Sequence, residues 1–173
     1  MANIKITRFR KQELEKELII HKEDLKAAQE RLVLAKEEGD LSENSGVDAS
    51  KAEIALHENR IREIKEILDN SSVVADTSGP IIDIGSFVRV EKFNTNTGAY
   101  EEPVLYMIDS TPGMGVIALD APLGKAIKGN TDGVTTIQTG MGDSITYRFR
   151  KDNSEGALQE FLLTYPSDIN FDE

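Results

Sequence analysis

The chain has 173 residues, no cysteine, 29% charged side chains and a formal net charge of −11. That length suits one large domain or two small ones. The missing cysteine excludes disulfides and thiolate metal sites, and the acidic balance disfavours nonspecific DNA binding, which needs a basic face. No run is apolar enough to span a bilayer and Met1-Ala2-Asn3-Ile4-Lys5 lacks a signal-peptide core, so the cytoplasm is the expected location and no membrane is an expected partner.

Residues 8–38 read as one helix with Thr7 as its N-cap. Leu14, Leu18, His21, Leu25, Ala28, Leu32 and Ala35 recur in steps of four and three, the 3.5-residue repeat of a coiled-coil seam. A second helix runs from about Asn44 to Leu68, with Val47, Ser50, Ile54, His57, Ile61, Ile64 and Leu68 as its seam. A turn near Leu41 folds the two antiparallel. Residues whose numbers total about 82 are then expected to meet: Ala35 with Val47, Ala28 with Ile54, Leu25 with His57 and His21 with Ile61. Both histidines therefore sit on the seam with different neighbours. Polar seam residues usually fix register, and no third metal ligand is evident beside either one.

The turn reads Gly39-Asp40-Leu41-Ser42-Glu43-Asn44. One reading is purely structural. Gly39 stands where a helix C′ glycine belongs, and Asp40 with Glu43 fits a capping box. The other is functional: Asp40 and Glu43 share a divalent cation such as Mg²⁺, as an incomplete site needing ligands from elsewhere. Lys36 and Lys51 lie close behind as a basic collar suited to a nucleic-acid phosphate. Residues 1–70 carry 13 basic against 16 acidic side chains, and residues 71–173 carry 7 against 15. The hairpin is thus the half better able to approach a polyanion.

From Asn70 the pattern changes. Asp76-Thr77-Ser78-Gly79-Pro80 is turn chemistry. Strands are expected over Ser86–Phe93, Val104–Asp109, Gly115–Leu119, Val134–Thr139 and Ile145–Lys151. A short helix is expected at Pro122–Ile127, with proline near its start and Gly129 beyond its end. Ala157–Tyr165 suits a last strand or short helix. The fold class is α+β, a small antiparallel sheet with one helix on a face. The expected division is a hairpin over 1–72, a linker and first strand over 73–84, and a sheet domain with an acidic tail over 85–173. No catalytic set is found in the second half, and the chain is not expected to be an enzyme.

The tip hexapeptide resembles that of the Gre family of bacterial transcript-cleavage factors. Ala49-Ser50-Lys51 and Arg60-Ile61-Arg62-Glu63-Ile64 are similar to that family's second helix. Gly85-Ser86-Phe87-Val88 and Asp120-Ala121-Pro122-Leu123-Gly124-Lys125-Ala126-Ile127-Lys128-Gly129 resemble its C-terminal domain. The likeness covers roughly residues 5–151. It implies an FKBP-like fold for the second half and RNA polymerase as partner, entered through the secondary channel. It also implies that Asp40 and Glu43 act at the polymerase active site, helping to hold a Mg²⁺ shared with the polymerase while the backtracked nascent RNA 3′ end is cleaved. Lys36, Lys51, Ser42 and Asn44 would support the tip and the RNA. A monomer is expected, binding Mg²⁺ only weakly on its own.

After Asn44 the family usually reads Ala-Glu-Tyr-His, whereas this chain reads Ser45-Gly46-Val47-Asp48. That departure supports an alternative: a channel-binding regulator that inhibits the polymerase without stimulating cleavage. A third reading, an FKBP-like prolyl isomerase with a coiled-coil arm, needs an aromatic-lined pocket. With aromatics at 6%, little supports it.

Overall fold

The computed structural model describes residues 3–37, 45–75 and 79–165. The chain divides into two compact units. One is Lys11–Ser71 and the other combines Asn3–Arg10 with the chain from Ser72 onward.

The first unit is helical, formed by α1 (Arg8–Glu37) beyond its first three residues and by α2 (Ser45–Asp69). Strand β1 (Ile4–Thr7), which leads into α1, and β2 (Ser71–Val74), which follows α2, pair with each other and fall, but for Ser71, in the second unit. Thr7 caps α1 as its sequence suggests, accepting a hydrogen bond from the Arg10 amide at 3.0 Å. The seam residues of both helices are all buried or half-buried, while most of their neighbours are exposed. Strand β1 escaped the sequence reading, because four residues carry too little alternation to stand out from a helix start, while β2 lies at the start of the segment expected to hold a linker and a first strand.

The second unit is a sheet. It holds β3 (Phe87–Asn94), β4 (Ala99–Tyr100), β5 (Val104–Asp109), β6 (Val116–Ala118), β7 (Asp132–Gln138) and β8 (Ser144–Asp152). The order is β6-β5-β3-β8-β7, with β4 hairpinned onto β3. Helix α3 (Pro122–Ile127) has the expected bounds, and the open segment at 157–165 is a helix, α4 (Ala157–Thr164). The turn at residues 140–143 closes the β7–β8 hairpin, with the Thr139 amide donating to the Asp143 carbonyl at 2.7 Å.

Two expectations need correction. The sheet is mixed, because β5 and β6 run parallel, Met107 opposite Val116. Gly115, at φ +69°, lets the chain double back within the short connection, and the Val116 amide donates to the Gly113 carbonyl at 3.1 Å. Helices also cover both faces of the sheet. Val88, Val90, Ile108, Ile117 and Phe149 pack with Ile127 of α3 on one face. Leu105 and Met107 pack with Phe9, Ala157 and Phe161 on the other. The alternation along β3 and β5 is the period of two that a twice-covered sheet needs.

Candidate functional site

The hairpin brings the two histidines together. Nδ1 of His21 lies 2.8 Å from Nδ1 of His57, with ring centroids 5.1 Å apart. This overturns the expectation of different neighbours. Their numbers total 78, so the register at this point is about one helical turn from the expected 82. It puts both polar rings in one layer instead of burying each against a leucine or isoleucine, which would leave ring nitrogens unpaired.

A third donor, Asp24, stands beside the rings, one turn along α1 from His21. One ligand atom from each of the three lies within 4.8 Å of the others. The sequence held this signal as a His-Asp pair at i, i+3, but only the true register adds His57. Behind His21, Oε1 of Glu17 is 3.6 Å from Nε2 and accepts a 2.7 Å bond from Nε of Arg60. That bond to Glu17 pushes the Arg60 guanidinium above its ordinary pKa.

Asp40, Ser42, Glu43 and Asn44 lie outside the described residues, as do Gly39 and the capping box. Their flanks are described. Lys36 is exposed in the last turn of α1, and Lys51 is exposed on α2. In the departing stretch, Val47 is buried on the seam, while Asp48 is an exposed acid in the first turn of α2. A carboxylate there favours the helix start on its own account. Ile19, Ile20, Val33 and Leu34 of α1 and Leu56 of α2 are all exposed, between 47% and 60%.

The second unit carries a cavity of about 460 Å³ lined by Arg89, Glu91, Asp132, Arg148, Phe149 and Arg150, among others. Its lining sets charged side chains beside Pro103, Gly133 and Val134, with Phe149 its one aromatic, unlike the aromatic-lined pocket an isomerase would need. The guanidinium of Arg89 donates to Asp152 at 2.7 Å and grips Glu160 of α4 with two bonds of 2.8 and 2.6 Å. Asp109, fully buried, accepts from the amides of Thr7 at 2.8 Å, Ser110 at 2.7 Å and Thr111 at 3.4 Å. It anchors β1 to the end of β5.

Residues 4–73 match a family model described as the N-terminal part of the GreA and GreB transcription elongation factors. Transcription elongation factor GreA of Ureaplasma urealyticum serovar 10 is 36% identical over 141 residues, covering 77% of this chain and 86% of that protein. This chain belongs to the Gre family of transcription elongation factors. GreA of Bacillus cereus is 33% identical over 147 residues, covering 80% of this chain and 89% of that protein. A solved structure of the transcription factor Gfh1 is 28% identical, covers 86% of this chain and 96% of its own, and superposes with a TM-score of 0.44. As a Gre-family member the chain is an accessory factor of transcription and not itself an enzyme. No helix among the described residues is long and apolar enough to cross a membrane.

Proposed function

We propose that this chain docks in the secondary channel of RNA polymerase through its hairpin and regulates elongation from there. Its membership in the Gre family, shared with GreA relatives over most of both chains, carries the reading. The exposed apolar side chains along the hairpin support it, since a channel wall would cover them. The second unit, which we take to be FKBP-like, would hold the factor at the channel mouth.

Two outputs follow from such docking. In the first, the arm fills the channel and lowers polymerase activity. Ser45-Gly46-Val47-Asp48, in place of the family's Ala-Glu-Tyr-His, favours this. In the second, Asp40 and Glu43 take part in cleavage of the backtracked RNA 3′ end, with Lys36 and Lys51 near the RNA and Ser42 and Asn44 supporting the tip. The retention of both acids favours that. Two carboxylates are hard oxygen donors of the kind Mg²⁺ takes. Asp40 and Glu43 would hold that ion jointly with the polymerase, where it would activate a water and stabilise the leaving oxygen.

A polymerase stalled in a backtracked complex with 3′-labelled RNA separates the outputs. Slowed elongation with no release of short 3′ fragments establishes the occluding regulator. Release by the wild type that is lost in Asp40→Ala and Glu43→Ala establishes cleavage. If the protein neither slows elongation nor releases RNA, the docking reading is wrong.

A further inference from the structure

We propose that His21, His57 and Asp24 form a binding site for a borderline divalent transition metal, Zn²⁺ above all, which clips α1 to α2 midway along the hairpin. The site is independent of the tip acids and of any polymerase docking.

The donor set argues for the metal class. Two neutral imidazole nitrogens and one carboxylate oxygen suit Zn²⁺, Ni²⁺ or Cu²⁺, whereas Mg²⁺ and Ca²⁺ prefer oxygen alone. Three protein ligands leave a position for water, as in three-ligand zinc sites. The spacing fits as well. Two nitrogens on a tetrahedral Zn²⁺, each about 2.0 Å from the ion, stand roughly 3.3 Å apart, so the observed 2.8 Å between the Nδ1 atoms asks the rings to part by about half an ångström.

At 2.8 Å the two Nδ1 atoms share one proton, donated by one ring and accepted by the other. Metal binding takes both lone pairs, so the donating ring must carry its proton on Nε2 instead. Both rings are half-buried, and solvent can carry that exchange. Glu17 already faces Nε2 of His21, which favours the tautomer with Nδ1 free. Drawn from 3.6 Å to hydrogen-bond distance, Glu17 would complete the carboxylate–histidine–metal arrangement that orients a ligand ring. His21 also lines an open groove with Ala52, Asn59 and Arg60, which gives an ion a route in. Asp24 is exposed and can swing onto the ion without disturbing the seam.

The test uses the full chain stripped of metal and titrated with Co²⁺ and Zn²⁺. Stoichiometric Co²⁺ binding with the intense visible bands of a four-coordinate site, displaced by one equivalent of Zn²⁺, is the expected result. His57→Gln should weaken binding at least 100-fold. Asp24→Asn should weaken it about tenfold, and Glu17→Gln by about 10- to 100-fold through loss of ring orientation. Asp40→Asn combined with Glu43→Gln should leave the affinity unchanged. Helicity by circular dichroism checks that His57→Gln folds, and Asp24→Asn decides the matter if it does not. Absence of a Co²⁺ spectrum in the wild type overturns the site. So does binding that survives Asp24→Asn unaltered or disappears with the tip acids.

Discussion

Gly124 shows how one residue can hold two elements at a fixed distance. It lies inside α3, where glycine ordinarily costs stability relative to alanine. Here a Cβ would fall 2.1 Å from the Ala118 carbonyl oxygen and 2.9 Å from the Leu119 Cα, both backbone atoms that cannot turn aside. The helix therefore approaches the end of β6 only because position 124 has no side chain, and the Ala121 carbonyl accepts from the Lys125 amide at 2.9 Å within that contact. Gly124→Ala is expected to destabilise the second unit by about 2–4 kcal/mol, as overpacking against fixed backbone does. Urea unfolding of the two proteins measures it, and equal midpoints would show that the contact yields without cost. The sequence offered the glycine as part of a motif. The reason for it became visible only with the strand placed beneath it.

The helices show what a repeat can and cannot specify. A 3.5-residue pattern marks which face is buried, and every seam position was recoverable from spacing. It does not choose between registers one turn apart, because both bury the same faces. The pairing of the two histidine rings decides that, and it is a cross-helix quantity. Helix α4 poses a different question, of what holds eight residues onto a sheet. Besides Phe161, packed edge-to-face on Phe9 and tilted against Phe87 at centroid distances of 5.1 and 5.5 Å, the answer is Arg89. Its bonds hold Glu160 below the ordinary carboxylate range. Burial pushes Asp152 upward, but bonds from Ser154 and Arg89 outweigh it and keep that carboxyl low as well. For groups depressed on folding, the unfolded chain binds more protons in the window between the two values. Stability is then full above the ordinary carboxylate pKa and falls as pH drops through the folded one. Asp109 has the opposite sign. Burial raises its pKa against the three amide bonds it accepts, so its share is full below the ordinary carboxylate pKa and declines as pH rises from there through the raised folded one. Acid should thus loosen α4 selectively. Amide exchange of residues 157–164, corrected for intrinsic rate, is expected to quicken between about pH 5 and pH 3 while β5 stays protected. Arg89→Ala should quicken it by about tenfold at neutral pH and flatten the acid response. Exchange that ignores both changes would mean that apolar packing alone seats the helix.

Across the whole molecule, the composition shift at Asn70 and the turn-rich spacing that follows it were enough to show a helical arm followed by a sheet unit. The parallel β5–β6 pair was hidden, since strand direction depends on which neighbour a short connection returns to. Charge is also divided unevenly, with the arm nearly balanced and most of the negative excess in residues 71–173. On the docking reading this separates two tasks: broad surfaces of arm and sheet unit would set affinity, while two carboxylates at the tip would set the effect on RNA. Removing two charges from a large interface changes little of its buried area, whereas removing them from a metal-assisted reaction removes a role nothing else fills. Asp40→Ala with Glu43→Ala is therefore expected to leave the Kd for polymerase within about twofold of wild type, measured by fluorescence anisotropy on a labelled chain at fixed salt. The same double variant should abolish any RNA release. Gly46→Glu, at an exposed position of α2, should also leave the Kd unchanged, because it restores a better helix former without touching the buried Val47. If affinity instead falls in step with the tip charges, the tip is itself the docking element, and the division of labour between arm and tip is wrong.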